Sequence, residues 1–120
     1  MRRDEEKNIA VRKDCIIEVR LARFQSPEKL NELRQNIFEL TQDKKCDVLV
    51  DVGPTMIGDG STRPTAEKFF KGLPIRRFAI FGGSPPINLG IKTLIEEHAN
   101  TKSVRIFRRE SDARAWLLEN

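Results

Sequence analysis

Apolar positions along this chain alternate between two spacings. Short runs that are continuous or have a period of two predict strands, and runs at helical spacing predict helices. Residues 8–12 (Asn-Ile-Ala-Val-Arg) and 15–21 (Cys-Ile-Ile-Glu-Val-Arg-Leu) read as two strands joined by a tight turn at Lys13-Asp14, which makes a hairpin. In the second strand Ile17, Val19 and Leu21 face one way, while Glu18 and Arg20 face the other. Ser26 caps the helix that follows. Pro27 brings a φ suited to its first position, and Glu28 meets the positive end of its dipole. Leu30, Leu33, Ile37 and Leu40 form its buried stripe. Asp47-Val48-Leu49-Val50-Asp51-Val52, apolar between charges, reads as a central strand.

Residues 53–63 contain Gly53, Pro54, Gly58 and Gly60 and predict the longest irregular stretch. A second helix starts near Pro64 with Ala66, Phe69, Phe70 and Leu73 inward, and Gly72 and Pro74 end it. Arg76–Phe81 is the next strand, turned by Gly82-Gly83-Ser84 into a third helix that Ser84 caps. Pro85 occupies its first position, and Ile87, Ile91, Leu94 and Ile95 give it a core face. Residues 103–107 read as the last strand. Ser111 caps a final helix with Ala113, Trp116 and Leu117 inward. A hairpin followed by helix–strand alternation on short connections predicts an α/β fold with a mixed, mostly parallel sheet of four or five strands. The order of strands across the sheet cannot be read from this pattern.

The length of 120 residues suits one domain, spanning 8–120, after a polar and flexible segment at 1–7. Basic residues number 22 and acidic residues 18, for a net charge of +4. The basic clusters, such as Arg12-Lys13, Lys44-Lys45 and Arg108-Arg109, have acids close by, so a solvated surface is expected and no nucleic-acid partner. The segment 1–7 lacks the apolar core of a signal peptide, and no apolar run approaches the ~20 residues that span a bilayer. Cys15 and Cys46 stand apart from each other and from any C-x-x-C pattern. The expectation is a cytoplasmic protein with reduced thiols.

Little in the sequence points to catalysis. His98 is the single histidine, and no cysteine lies at zinc-ligand spacing from it, so neither a metal nor a cofactor is expected. Neither cysteine sits on a glycine-rich turn leading into a helix, where a dipole would lower its pKa. Two loops carry candidate chemistry. At Gly82-Gly83-Ser84, Gly83 and Ser84 are candidate anion-binding residues at a helix start, although Pro85 and Pro86 remove two amide donors. A small enzyme could use this turn, with Asp51 or Asp59 as base for Ser84. The second loop, 53–63, follows the carboxyl end of a strand, where open α/β sheets place binding sites. It presents Met56 and Ile57 beside Asp59, Ser61, Thr62 and Arg63, a candidate surface for a small apolar or anionic ligand, a protein partner or a lipid surface.

The order of these pieces resembles the SpoIIAA-like branch of the STAS superfamily. The residues that carry the resemblance are Asp47–Val52, Arg76–Gly82, Val104–Phe107 and, above all, Ala113, Trp116 and Leu117, which match an A-x-x-W-L helix after a strand ending in Phe. The resemblance implies a mixed sheet with helices packed on one side, no enzyme activity, and a regulatory or binding role. Anti-sigma antagonists of the superfamily carry a phosphorylated serine in a D-S-S-G-like motif. Asp59-Gly60-Ser61-Thr62 stands roughly there, with its glycine before the serine, which makes Ser61 and Thr62 candidate phosphorylation sites. The functional expectation is a non-catalytic binding or regulatory domain working through 53–63. Enzyme or phosphate binding at Gly82-Gly83-Ser84, and peripheral membrane contact, are the alternatives, and a homodimer is a further candidate assembly.

Overall fold

In the computed structural model, which describes residues 6–56, 60, 62–101 and 103–119, the chain runs β1 (Ile9–Lys13), β2 (Ile16–Arg20), α1 (Pro27–Thr41), β3 (Cys46–Asp51), α2 (Arg63–Phe69), β4 (Ile75–Phe81), α3 (Pro85–His98), β5 (Val104–Phe107) and α4 (Glu110–Leu117). The hairpin turn is Asp14-Cys15 and not Lys13-Asp14, because Lys13 pairs with Ile16 across the hairpin. Asp14 supplies the left-handed backbone that the turn needs, at φ 59°, a conformation that aspartate tolerates better than most residues. Cys15 is therefore an exposed turn residue, not the first residue of a strand.

Helix ends largely follow their local chemistry. The Ser26 hydroxyl accepts a hydrogen bond from the Lys29 amide at 3.2 Å and caps α1 as expected. Ser84 holds the N-cap position of α3, but its hydroxyl makes no capping bond. At α4 the cap is Arg109 and not Ser111, and Glu110 and Asp112 supply the acid that the first turn favours. The helix α2 is only seven residues long. It stops at Phe69 with Phe70 as its C-cap, earlier than the expected end at Gly72, whose φ of 77° turns the chain toward Pro74 and β4. Arg34 of α1 closes the helix from outside, donating from Nε to the Phe69 carbonyl at 3.1 Å.

The five strands lie in sequence order, β1-β2-β3-β4-β5. The pair β1–β2 is antiparallel and the other pairs are parallel. This order decides where the helices go. Each parallel crossover steps to the next strand in the same direction, and crossovers share one hand, so α1, α2 and α3 all fall on one face. There Ile17, Val48, Val50, Phe78 and Ile80 pack with Leu33 and Ile37 of α1, Phe69 of α2 and Ile95 of α3. The helix α4 follows the last strand and is not a crossover. It folds back onto the opposite face, where Ala113 and Leu117 bury Ile16, Leu49, Ala79 and Phe81, with Phe107 and Trp116 at the margin. The expectation of a mixed, mostly parallel α/β sheet thus holds, while its detail of helices on one side is corrected to three on one side and one on the other.

Candidate functional site

The face under α1–α3 is not filled evenly. The helices α1 and α3 run about four turns each, whereas α2 between them makes two. The short helix leaves an open cavity of about 790 Å³ between α1 and α3, over central strands whose own side chains stay buried. Val48, Val50 and Phe78 contribute its sheet side, Leu33 and Ile37 one wall, and Ile87 and Ile91 the other. Gly90 of α3 and Ala66 of α2 also line it, and both are small. A Cβ on Gly90 would meet nothing within 4 Å.

One face of α2 grades along the cavity. Thr62 and Arg63 stand at its outer end, Ala66 in the middle, and Phe69 and Phe70 at the inner end. The Phe70 ring meets Phe69 edge-on at 4.9 Å and Phe78 of the sheet at 5.6 Å. The Arg63 side chain is 79% exposed and pairs with Glu67, Nε to Oε1 at 3.2 Å. Thr62 is buried and makes no side-chain capping bond.

The rim is set by the loop after β3. The Thr55 hydroxyl donates to the Ala22 carbonyl at 2.7 Å, and the Met56 amide donates to the Arg23 carbonyl at 2.9 Å. The Asn8 side chain locks the segment between β2 and α1, accepting from the Ala22 amide at 2.7 Å and exchanging two bonds with Gln25. Met56 and Leu89 line the cavity yet remain more than half exposed, as does nearby Phe24. Of the loop residues singled out in the sequence, Met56, Thr62 and Arg63 come together at this mouth. Ile57, Asp59 and Ser61 lie outside the described residues.

The other candidate turn is built differently. Gly82 adopts φ 89°, and a Cβ there would stand 2.8 Å from Asp51 Oδ1. At Gly83 a Cβ would approach Val52 Cγ1 to 2.6 Å. Asn88 fills the same space and donates from Nδ2 to the Gly83 carbonyl at 3.2 Å. The turn is closed by Val52 and Asn88, carries a carboxylate beside Gly82, and leads into two prolines. All of this opposes an anion at Gly83 and Ser84.

Reactive side chains lie elsewhere and apart. Burial pushes the Cys46 thiol above its usual pKa, with nearby Arg12 opposing, and Cys15 is on the surface. His98 stands 3.7 Å from Glu97 near the end of α3. Among the described residues no group of three or more His, Cys, Asp and Glu could hold a metal ion. No described helix is long and apolar enough to cross a membrane.

The cavity was the part that the sequence reading missed. Its lining residues scored as ordinary core, and the available signals were the shortness of α2 and a glycine inside α3.

No protein-family model matches the chain, and no curated protein matches it. A solved structure does: an uncharacterised protein of the DUF3478 family from Shewanella loihica PV-4, described as having a SpoIIAA-like fold. The two superpose with a TM-score of 0.71 over 92% of this chain and 91% of the other, at 14% sequence identity. The five sequential strands, the three helices on one face and the returning α4 are thus the SpoIIAA-like fold that the sequence pattern resembles.

Proposed function

We propose that this domain is a non-catalytic binding module whose ligand is a small, largely apolar molecule held between the sheet and α1–α3. The observation that carries the reading is the cavity itself: about 790 Å³, walled by aliphatic and aromatic side chains and bordered by the exposed Met56 and Leu89. That volume falls in the range of small-molecule sites, which are concave, mostly apolar and edged by a few polar groups. Met56, Thr62 and Arg63 then border the site, and Met56 contacts the ligand as it enters. The non-catalytic part of the reading is supported by the scatter of His98, Cys15 and Cys46 over separate parts of the fold.

The test is titration with an uncharged solvatochromic dye such as Nile red, comparing the parent with Ala66→Trp. The new indole would occupy the middle of the cavity. Saturable dye binding by the parent, lost in a variant that still unfolds cooperatively and at a higher midpoint, is the expected result. Far-UV circular dichroism reports the integrity of both proteins. Absence of saturable binding by the folded parent, or undiminished binding by the filled variant, removes the reading.

A further inference from the structure

We infer that the ligand is a single-chain amphiphile carrying one negative charge, with its carboxylate at Arg63 and its hydrocarbon chain running inward toward Phe69, Phe70 and Phe78. This rests on the apolar-ligand reading above and adds the polarity and direction of the ligand.

The argument is the grading of one helix face. Thr62, Arg63, Ala66, Phe69 and Phe70 all line the cavity, at spacings that place them on the same side of α2. From the mouth inward the surface changes from hydroxyl and guanidinium, through a methyl, to two aromatic rings. A purely apolar ligand would have no use for a cation on this face. A compact polar ligand would leave the aromatic end unfilled.

The sign of the head group follows from the charges present. Among the described lining residues Arg63 is the one cation. Glu97 also lines the cavity, but it belongs to the carboxyl-terminal end of α3. Both α2 and α3 leave the carboxyl ends of parallel strands and run back along the sheet, so Arg63 and Glu97 stand at opposite ends of the site. The Arg63 fork matches the two oxygens of a carboxylate. Its present contact with Glu67 is an exposed pair one helical turn away, of the weak and easily exchanged kind. Once displaced, Glu67 stays one helical turn away, and its charge disfavours a second negative charge on the head.

The experiment is displacement of Nile red, below micelle-forming concentrations, by palmitate, cetyl alcohol, cetylamine and cetyl phosphate. These share a chain and differ in head group. The parent should bind palmitate about two- to five-fold more tightly than the alcohol, with the amine weakest, and the preference should shrink as salt is added. Arg63→Gln should bring palmitate to the level of the alcohol and leave the alcohol unchanged. Equal binding of palmitate and alcohol by the parent overturns the head-group assignment and leaves the apolar-ligand reading standing. So does a preference that survives Arg63→Gln, and so does tighter binding of the phosphate. Failure of all four compounds to displace bound dye overturns the amphiphile as well, and failure of the dye itself to bind overturns the cavity reading first.

Discussion

Asp47 and Arg76 meet in a two-point fork, Nε to Oδ1 at 3.0 Å and Nη2 to Oδ2 at 2.8 Å, on the face of the sheet away from the cavity. A register shift makes room for it: Cys46 pairs with Ile75 but Asp47 with Arg77, so Arg76 is an extra residue in β4. Arg77 reaches the same carboxylate at 3.3 Å and also donates to the carbonyls of Trp116, Leu117 and Glu119, closing the end of α4. One buried acid thus anchors two arginines and, through Arg77, the last helix.

Asp47→Ala should cost about 2–4 kcal/mol, because it strips the counter-charge from Arg77, whose side chain is only 15% exposed. Urea unfolding followed by Trp116 fluorescence measures it. A loss under about 0.5 kcal/mol, the size of an ordinary surface change, would show that the network adds nothing.

Gly90→Ala should stabilise the domain by about 1 kcal/mol. Glycine is the poorest non-proline residue inside a helix, and the added methyl would meet no atom within 4 Å. A thermal melt of the unliganded protein reads the gain. A fall in midpoint would mean that the space beside α3 is narrower than described.

Gly83→Ala is expected to act in the opposite direction. Its methyl would press on Val52 and Asn88, both buried, and such overpacking costs about 1–3 kcal/mol. Equilibrium unfolding of this variant beside Gly90→Ala gives a direct contrast between two glycines in one loop-and-helix unit.

The two thiols should separate kinetically. Cys15 lies on the hairpin turn and Cys46 is 2% exposed with its pKa raised by burial. At neutral pH a disulfide reagent such as DTNB should modify one thiol quickly and the second only on addition of denaturant. Because the folded state resists ionisation of Cys46, stability should also decline as pH rises through the usual thiol range, where the unfolded thiol ionises first. Simultaneous fast release from both thiols in native buffer would contradict the burial of Cys46.

Met56→Ser should leave stability within about 0.5 kcal/mol, since the side chain is 53% exposed. It should weaken dye binding, because the residue borders the mouth. A large loss of stability would place Met56 in the core instead.

These residues also show what a sequence discloses and what it withholds. The runs 47–52 and 76–81 announced β3 and β4 because short apolar runs rich in β-branched and aromatic residues, set beside charges, have few other uses. Ser26-Pro27-Glu28 announced α1 because capping is local chemistry. The side taken by α4 was not legible. Ala113 and Leu117 announce a buried stripe, and nothing in the stripe says which face of the sheet it will cover. The cavity was hidden for a related reason. A leucine that packs on a neighbour and one that borders a hollow have the same spacing, so Leu33 and Ile37 read as core in both cases.

The sequential strand order carries a consequence for how the chain acquires its shape. Every neighbouring pair of strands is also adjacent along the polypeptide, so each new strand docks on one already made and no segment waits for a distant partner. Such topologies keep loop-closure costs low. A nascent chain leaving the ribosome can therefore add one strand and its crossover at a time, from the hairpin onward. Only the final helix, arriving last, seals the second face against water.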